Sequence, residues 1–238
     1  MSSIFSGKTV IITGASAGVG AACARAFAAQ NAKLVLIARG RAGLNAIAKE
    51  LRPICEVMTS VMDVADTAQC LKLRKRAETK FGAGHVRVNH AGMHTRGDLE
   101  TIDPNDVASM VDINLRAPMV LSCAAIPYLQ RAGSGAIVNI GSLAGRAPLQ
   151  GAAAYSGNKA GLRAFSYALA DELKESRINV DVVSAGPNNT GFIMDEIDKV
   201  EDIVFSQPMS TAEQVADAVI SIACGEQVEI SLPAKSGK

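Results

Sequence analysis

The sequence predicts an α/β fold: a single doubly wound domain, with a parallel sheet of about seven strands and helices on both faces. Three observations predict it. Short, β-branched apolar runs alternate with amphipathic stretches along the whole chain. The runs are apolar on consecutive residues, as strands covered on both faces must be, whereas a half-wet sheet would alternate apolar and polar. No Pro/Ser linker, internal repeat or low-complexity segment divides the 238 residues.

In chain order, residues 9–13 (TVIIT) read as the first strand, and 19–30 has helical spacing. Residues 33–39 (KLVLIAR) are a strand, 44–51 a helix and 56–61 a weaker strand. Residues 67–81 form a charged helix whose run 72–80 (KLRKRAETK) reads as a solvated face rather than a nucleic-acid patch. A short strand at 86–89 precedes a long helical stretch, 104–130, which Pro118 and Pro127 are expected to bend or end. Then come a strand at 136–140 (AIVNI), a strong helix at 152–176, a strand at 179–184 and a last strand at 228–232. The stretch from Pro187 to Pro208 is longer than an ordinary connection, and Ser210-Thr-Ala-Glu213 reads as a capping box that restarts a helix. Residues 187–210 mix apolar Phe192, Ile193 and Met194 with acids, so a substrate lid is expected there.

Composition removes several function classes. Hydrophobic residues at 48% can fill a core, which argues against disorder. Twenty-four Lys+Arg against 23 Asp+Glu leave a charge of +1, too little to hold nucleic acid by bulk attraction. Aromatics at 4%, with no Trp, do not make a base-stacking platform. Five dispersed cysteines without a C-x-x-C pair read as reduced thiols of a cytoplasmic protein. No signal peptide is evident, and no apolar run reaches the roughly 20 residues that span a bilayer, so no membrane partner is expected. His85, His90 and His94 lie close in sequence, but no Cys or carboxylate completes a ligand set, so no metal is expected.

The chemistry starts at Thr13-Gly14-Ala-Ser16-Ala-Gly18-Val19-Gly20, between the first strand and the first helix. Small residues there let the backbone approach a pyrophosphate at a helix N-terminus, where free N–H groups and the helix dipole favour negative charge. No Gly-Lys-Ser/Thr closes the run, so it is not a P-loop. Farther on, Tyr155 and Lys159 are four apart, on one face of a helix, and Ser142 sits just past a strand.

The spacing T-G-x-x-x-G-x-G resembles the short-chain dehydrogenase/reductase family, whose fold is a Rossmann-type domain. Further segments resemble it in order: Asp63-Val64 the adenine-side acid, Asn89-His90-Ala91-Gly92 the N-N-A-G turn, and Asn114 the active-site Asn. Ser142 resembles the catalytic Ser, Tyr155-Ser-Gly-Asn-Lys159 the Y-x-x-x-K pair, and Ala185-Gly186-Pro187 with Thr190 the nicotinamide-side P-G-P…T segment. The likeness runs from about Gly7 to Leu232, and it departs at His90 (for Asn), Ala185 (for Pro) and Asn188 (for an apolar residue). It implies cofactor contacts from Gly14, Ser16, Gly18, Val19, Gly20, Asp63, Val64, Asn89, Ala91, Gly92, Tyr155, Lys159, Gly186, Pro187, Asn188 and Thr190.

It also implies a hydride-transfer enzyme acting on a small ketone or secondary alcohol. Tyr155 would exchange the proton, Ser142 would hold the substrate oxygen, Lys159 would favour the phenolate, and Asn114 would anchor a water linking Lys159 to solvent. The second strand ends Ala38-Arg39 with no acid for a ribose 2′-hydroxyl, and Arg39 is placed to pair a 2′-phosphate, so NADP(H) is preferred and NAD(H) remains an option. Ala17 lacks the second basic residue of many NADP-preferring relatives. Pocket candidates are His94, Leu143, Ala144, Leu149, Gln150, Phe192 and Met194. A 3-oxoacyl-thioester reductase is the alternative, although the lid acids would repel an acidic carrier. A non-catalytic nucleotide sensor is disfavoured by the intact Ser, Tyr and Lys, and an epimerase or dehydratase by the glycine spacing. The family pattern suggests a homo-oligomer, dimer or tetramer, without the usual Gly-Gly ending.

Overall fold

The structure, a computed structural model, describes residues 3–187, 190–191, 209–225 and 227–232. Seven strands form one parallel sheet: β1 (Thr9–Thr13), β2 (Lys33–Ala38), β3 (Val57–Val61), β4 (Val86–Asn89), β5 (Gly135–Ile140), β6 (Ile178–Ala185) and β7 (Glu229–Leu232). Their order is β3-β2-β1-β4-β5-β6-β7. Winding therefore reverses between β1 and β4, and in open α/β sheets that reversal opens a crevice at the carboxyl ends of the strands.

The helices are α1 (Gly18–Ala29), α2 (Arg41–Leu51), α3 (Thr67–Phe81), α4 (Pro104–Val111), α5 (Ala117–Arg131), α6 (Ala153–Leu173) and α7 (Ala212–Ile222). β2 shows why the strands read as unbroken apolar runs. Leu34 and Leu36 pack into a cluster with Phe27 of α1 and Val215 of α7, while Val35 and Ile37 pack with Leu73 of α3 and Leu121 of α5. Each such side chain, once buried, contributes about 1.5–3 kcal/mol, so both faces of the strand are fixed by burial.

Four expectations are corrected. Pro118 and Pro127 do not end the long helix, which runs from Pro104 to Arg131 through a π turn at Asp112–Arg116. The π turn has already broken the regular ladder ahead of Pro118, so that proline forfeits a single donor. Pro127 lies in the last turns, where buried Tyr128 and Leu129 hold the helix in place. Because the helix continues, its 28 residues are long and apolar enough, by length and composition alone, to cross a membrane, contrary to the expectation that no such run exists. Here it packs on α3, α6 and β4.

The capping box is Thr211–Gln214, one residue later than expected: the Gln214 N–H donates to Thr211 Oγ1 at 3.2 Å, and the Thr211 N–H to Gln214 Oε1 at 2.8 Å. Ser210 is taken by a backbone bond from its N–H to the Pro187 carbonyl. Finally, α3 is not solvated throughout its charged run, since Arg74 turns inward and lies 4.6 Å from the Tyr128 ring centroid. The expected lid falls almost wholly outside the described residues.

Candidate active site

A cleft of about 1190 Å³ lies over the carboxyl ends of the central strands. Its first wall is the glycine turn. Gly14 and Gly18 have φ of +69° and +51°, which glycine adopts without strain. Gly20 is under the turn: a Cβ there would sit 2.7 Å from the Gly14 carbonyl carbon and 2.7 Å from His90 Cδ2. The N-cap of α1 is Ala17, which offers no side-chain bond to the first N–H groups, so the positive helix end stays available to an anion. Ser16, Gly18 and Val19 line the cleft, and Thr190 stands opposite, its Cβ 3.4 Å from where a Gly18 Cβ would be.

At the other end of this wall, Ala38, Arg39, Asp63 and Val64 line the cleft where β2 and β3 finish. Arg39 is exposed and Ala38 buried, and the Asp63 carboxylate accepts the Ala65 N–H at 2.9 Å.

The floor is the turn after β4. Thr13 Oγ1 accepts the N–H groups of His90 and Ala91 at 3.0 and 3.1 Å, so replacing the family Asn by His90 leaves the backbone of this turn anchored. Asn89 does not reach the cleft. It is buried and bonds Asn139 at 2.8 Å and Ser122 at 3.2 Å. Asn114 is also behind the floor, in the π turn. Its amide accepts the Met93 N–H at 2.9 Å and donates to the Met93 carbonyl at 2.7 Å. Both bonds clamp the loop that carries Ala91 and Gly92 into the cleft.

Ser142, Tyr155 and Lys159 meet on the remaining wall. Ser142 caps a 3₁₀ turn, Leu143–Gly145, accepts the Ala144 N–H at 3.2 Å and shares a hydrogen bond with the Tyr155 hydroxyl. Lys159 is buried one helical turn beyond Tyr155, 5.8 Å from its ring centroid, and donates to the Ile140 carbonyl at 2.8 Å. Gly186 and Pro187 close this side. His94 stacks on Tyr155, with centroids 4.1 Å apart at 17°. Leu143, Ala144, Leu149 and Gln150 line the same end, whereas Asn188, Phe192 and Met194 lie outside the described residues.

Three polar lining residues have no signal in the sequence reading: Arg96, Arg146 and Ser231. Nor does Gly145, although a Cβ there would lie 2.7 Å from the Lys159 carbonyl group. Arg96 and Arg146 come from loops without a periodic pattern, and Gly145 is a close approach between elements that are distant neither in sequence nor in space but are joined by an irregular turn.

Burial dominates the electrostatics. It raises the Tyr155 pKa, while the Ser142 hydroxyl and the Arg96 charge pull it back down. Burial pushes Lys159 down to about 8. It pushes His90 to about 4, with help from Lys159, and His94 to about 4, with help from Arg96 and Lys159. His85 goes elsewhere, accepting the Thr9 N–H through Nδ1 at 3.1 Å, so the three histidines do not converge.

A stability test follows for His90. Its folded pKa of about 4 lies below the ordinary 6.5, so the unfolded chain binds the extra proton, and stability is lost as pH falls from 6.5 towards 4. His90→Asn should flatten that acid limb by on the order of 2–3 kcal/mol at pH 4. Urea unfolding at pH 4 to 7 checks it, and parallel curves for both proteins would refute it.

A seven-stranded parallel sheet with a glycine turn at its first βα junction and a Ser/Tyr/Lys wall defines a nucleotide-binding oxidoreductase. The short chain dehydrogenase family model matches residues 8–201, and the chain belongs to that family. It is 32% identical to the ketoacyl reductase HetN of Nostoc sp., over 94% of this chain and 78% of that protein. It is 30% identical to the NADP-dependent 3-hydroxy acid dehydrogenase of Schizosaccharomyces pombe, over 90% of this chain and 86% of that protein. A metagenomic short-chain oxidoreductase crystallised with NADP superposes with a TM-score of 0.83 at 29% identity, covering 96% of this chain and 97% of the other.

Proposed function

We propose that this oxidoreductase interconverts a small ketone and its secondary alcohol, with NADP(H) as cofactor and Tyr155 as general acid/base. The strongest support is local: the Tyr155 and Ser142 hydroxyls share a hydrogen bond inside the cleft, with Lys159 buried one turn along the same helix. The glycine cradle at Gly14 and Gly20 and the uncapped end of α1 suit a pyrophosphate, and Arg39 with Ala38 suits a 2′-phosphate. The cofactor, once bound, supplies or accepts the hydride.

The chain's own residues do the rest. Ser142 holds the substrate oxygen against Tyr155. The Tyr155 hydroxyl gives its proton to that oxygen in reduction and takes it back in oxidation. Lys159, fixed on the Ile140 carbonyl, holds positive charge near the ring and favours the phenolate. Asn114 keeps the Met93 loop rigid, so Gly92 stays close to both Asn114 and Lys159. His94 limits the space above Tyr155.

In the same reading the chain is a single domain that works as a cytoplasmic homo-oligomer, and residues 187–210 close over the substrate. A 3-oxoacyl thioester is the second substrate class, favoured by the likeness to a ketoacyl reductase.

The deciding experiment is a panel of ketones, secondary alcohols and a 3-oxoacyl thioester, followed at the nicotinamide absorbance with both cofactors. Wild type should prefer NADP(H). Ala38→Asp with Arg39→Leu should cut kcat/KM for NADP(H) about ten- to a hundredfold, because a charge-assisted phosphate contact is lost and an acid repels what remains. A wild type that prefers NAD(H), or a variant with an unchanged cofactor ratio, would show that Arg39 does not read the 2′-phosphate. Absence of turnover with every pair would reject the substrate class.

A further inference from the structure

Glu229 lies on the edge strand β7 with its side chain only 7% exposed, and the groups that bond it come from elements carrying the candidate active site. From α6, Arg163 forks onto the carboxylate: Nε and Nη2 donate to Oε2 at 3.0 and 2.8 Å, and Nε is 3.2 Å from Oε1. Tyr167, one turn further along, donates its hydroxyl to Oε2 at 2.9 Å. Arg163 and Tyr167 follow Tyr155 and Lys159 at intervals of four, so the helix row that bears the chemistry continues into the row that grips Glu229.

From β6, the Ser184 hydroxyl donates to Oε1 at 2.6 Å. Ser184 stands directly before Ala185-Gly186-Pro187, and its Oγ lies 3.2 Å from where a Cβ on Gly141, the neighbour of Ser142, would be. From the turn after β5, Arg146 Nη1 is 3.8 Å from Oε1 and donates to Ser231 Oγ, also on β7. The Arg146 N–H closes the 3₁₀ turn on the Leu143 carbonyl at 2.9 Å, which couples its place to that of Ser142. Burial opposes ionisation of Glu229, but the bonds from Arg163, Ser184 and Tyr167 outweigh it and hold the carboxyl below its usual range. Well-packed apolar residues of similar volume would join these elements about as strongly. What the carboxylate adds is direction, since hydrogen bonds demand a narrow range of distance and angle and apolar contact does not.

We propose that Glu229 is a positioning residue for the reaction: it fixes α6 against the Ser142 turn and the end of β6, and so sets the separation of the Ser142 and Tyr155 hydroxyls. This rests on the roles given to Ser142 and Tyr155 above. Glu229 does not line the cleft, so it acts only through the elements it ties together. An error of about 1 Å in such placement costs up to about a hundredfold in rate.

Glu229→Gln keeps the shape and removes the charge. It should lower kcat about tenfold, while substrate KM and cofactor Kd change less than about threefold. Arg163→Gln should do the same, and the double variant should lose no more than about threefold beyond either single one, because both act through one contact. The Ser142 bond lowers the Tyr155 pKa, so weakening it should move the lower limb of the alcohol-oxidation profile to higher pH. Lys159, Arg96 and His94, the other groups facing Tyr155, are unchanged in these variants. Crystal structures give a reading that needs no turnover: the Ser142 Oγ–Tyr155 Oη contact should open beyond about 3.2 Å in the variants. If Glu229→Gln fails to fold, Arg163→Gln, whose side chain is 35% exposed, carries the same tests. An unmoved pH limb, additive losses, or a contact still within about 3.2 Å overturns the proposal. A wild type inactive on every substrate, with the contact opening in the variants, rejects the substrate reading and supports the positioning role.

Discussion

Tyr155→Phe is expected to lower kcat about a thousandfold, in line with the loss of a positioned general acid/base, while cofactor affinity changes less than about threefold. The ring, its stack on His94 and the Lys159 contact above it survive the change, and only the oxygen bonded to Ser142 is removed. The split between kcat and cofactor affinity is therefore the informative quantity. Single-turnover kinetics with tritiated or deuterated cofactor, together with a cofactor titration by fluorescence, measure both. If turnover stays within tenfold of wild type, the proton comes from another group, and the role given to Tyr155 is wrong.

Gly145→Ala is expected to have the next largest effect, a fall in kcat of about ten- to a hundredfold from displaced catalytic groups. A methyl group at position 145 would lie 2.7 Å from the Lys159 carbonyl group and 2.9 Å from the Ala160 nitrogen. Those are backbone atoms of α6 and cannot swing away, so the helix carrying Tyr155 and Lys159 must move relative to Ser142. Gly157→Ala is the control. It lies in the same helix between Tyr155 and Lys159, yet a Cβ there meets nothing within 4 Å. Alanine at an open helical site should leave kcat unchanged and add up to about 1 kcal/mol of stability. Equal losses in the two variants would mean that α6 is sensitive to any change, and that contact at Gly145 is not the cause.

The composition and order of the chain already determined the fold class and named most of the candidate site. Doubly apolar strands such as KLVLIA suit a sheet covered on both faces, because each successive side chain must find a dry surface. The glycine turn, Ser142, Tyr155 and Lys159 were legible because together, in order, they resemble the short-chain dehydrogenase/reductase pattern; a Tyr-x-x-x-Lys pair alone reads as a solvated helix face. Tertiary structure decided what depends on contacts between distant segments. It turned Asn89 and Asn114 away from the cleft, to hold the floor through Asn139 and Met93. It carried the long helix past Pro118 by means of a π turn, and it placed the cap at Thr211, with the Ser210 N–H bonded to the Pro187 carbonyl. It brought Arg96 and Arg146 to the cleft from separate loops and set His94 on Tyr155. It also turned Arg74 onto the Tyr128 ring and buried Arg87 against Asn89, two charges that sequence alone would send to solvent. The physical reason is the same in each case: a residue's type and local period fix which backbone it prefers, but which polar atoms remain to be satisfied is known only once the elements have packed and water has been excluded.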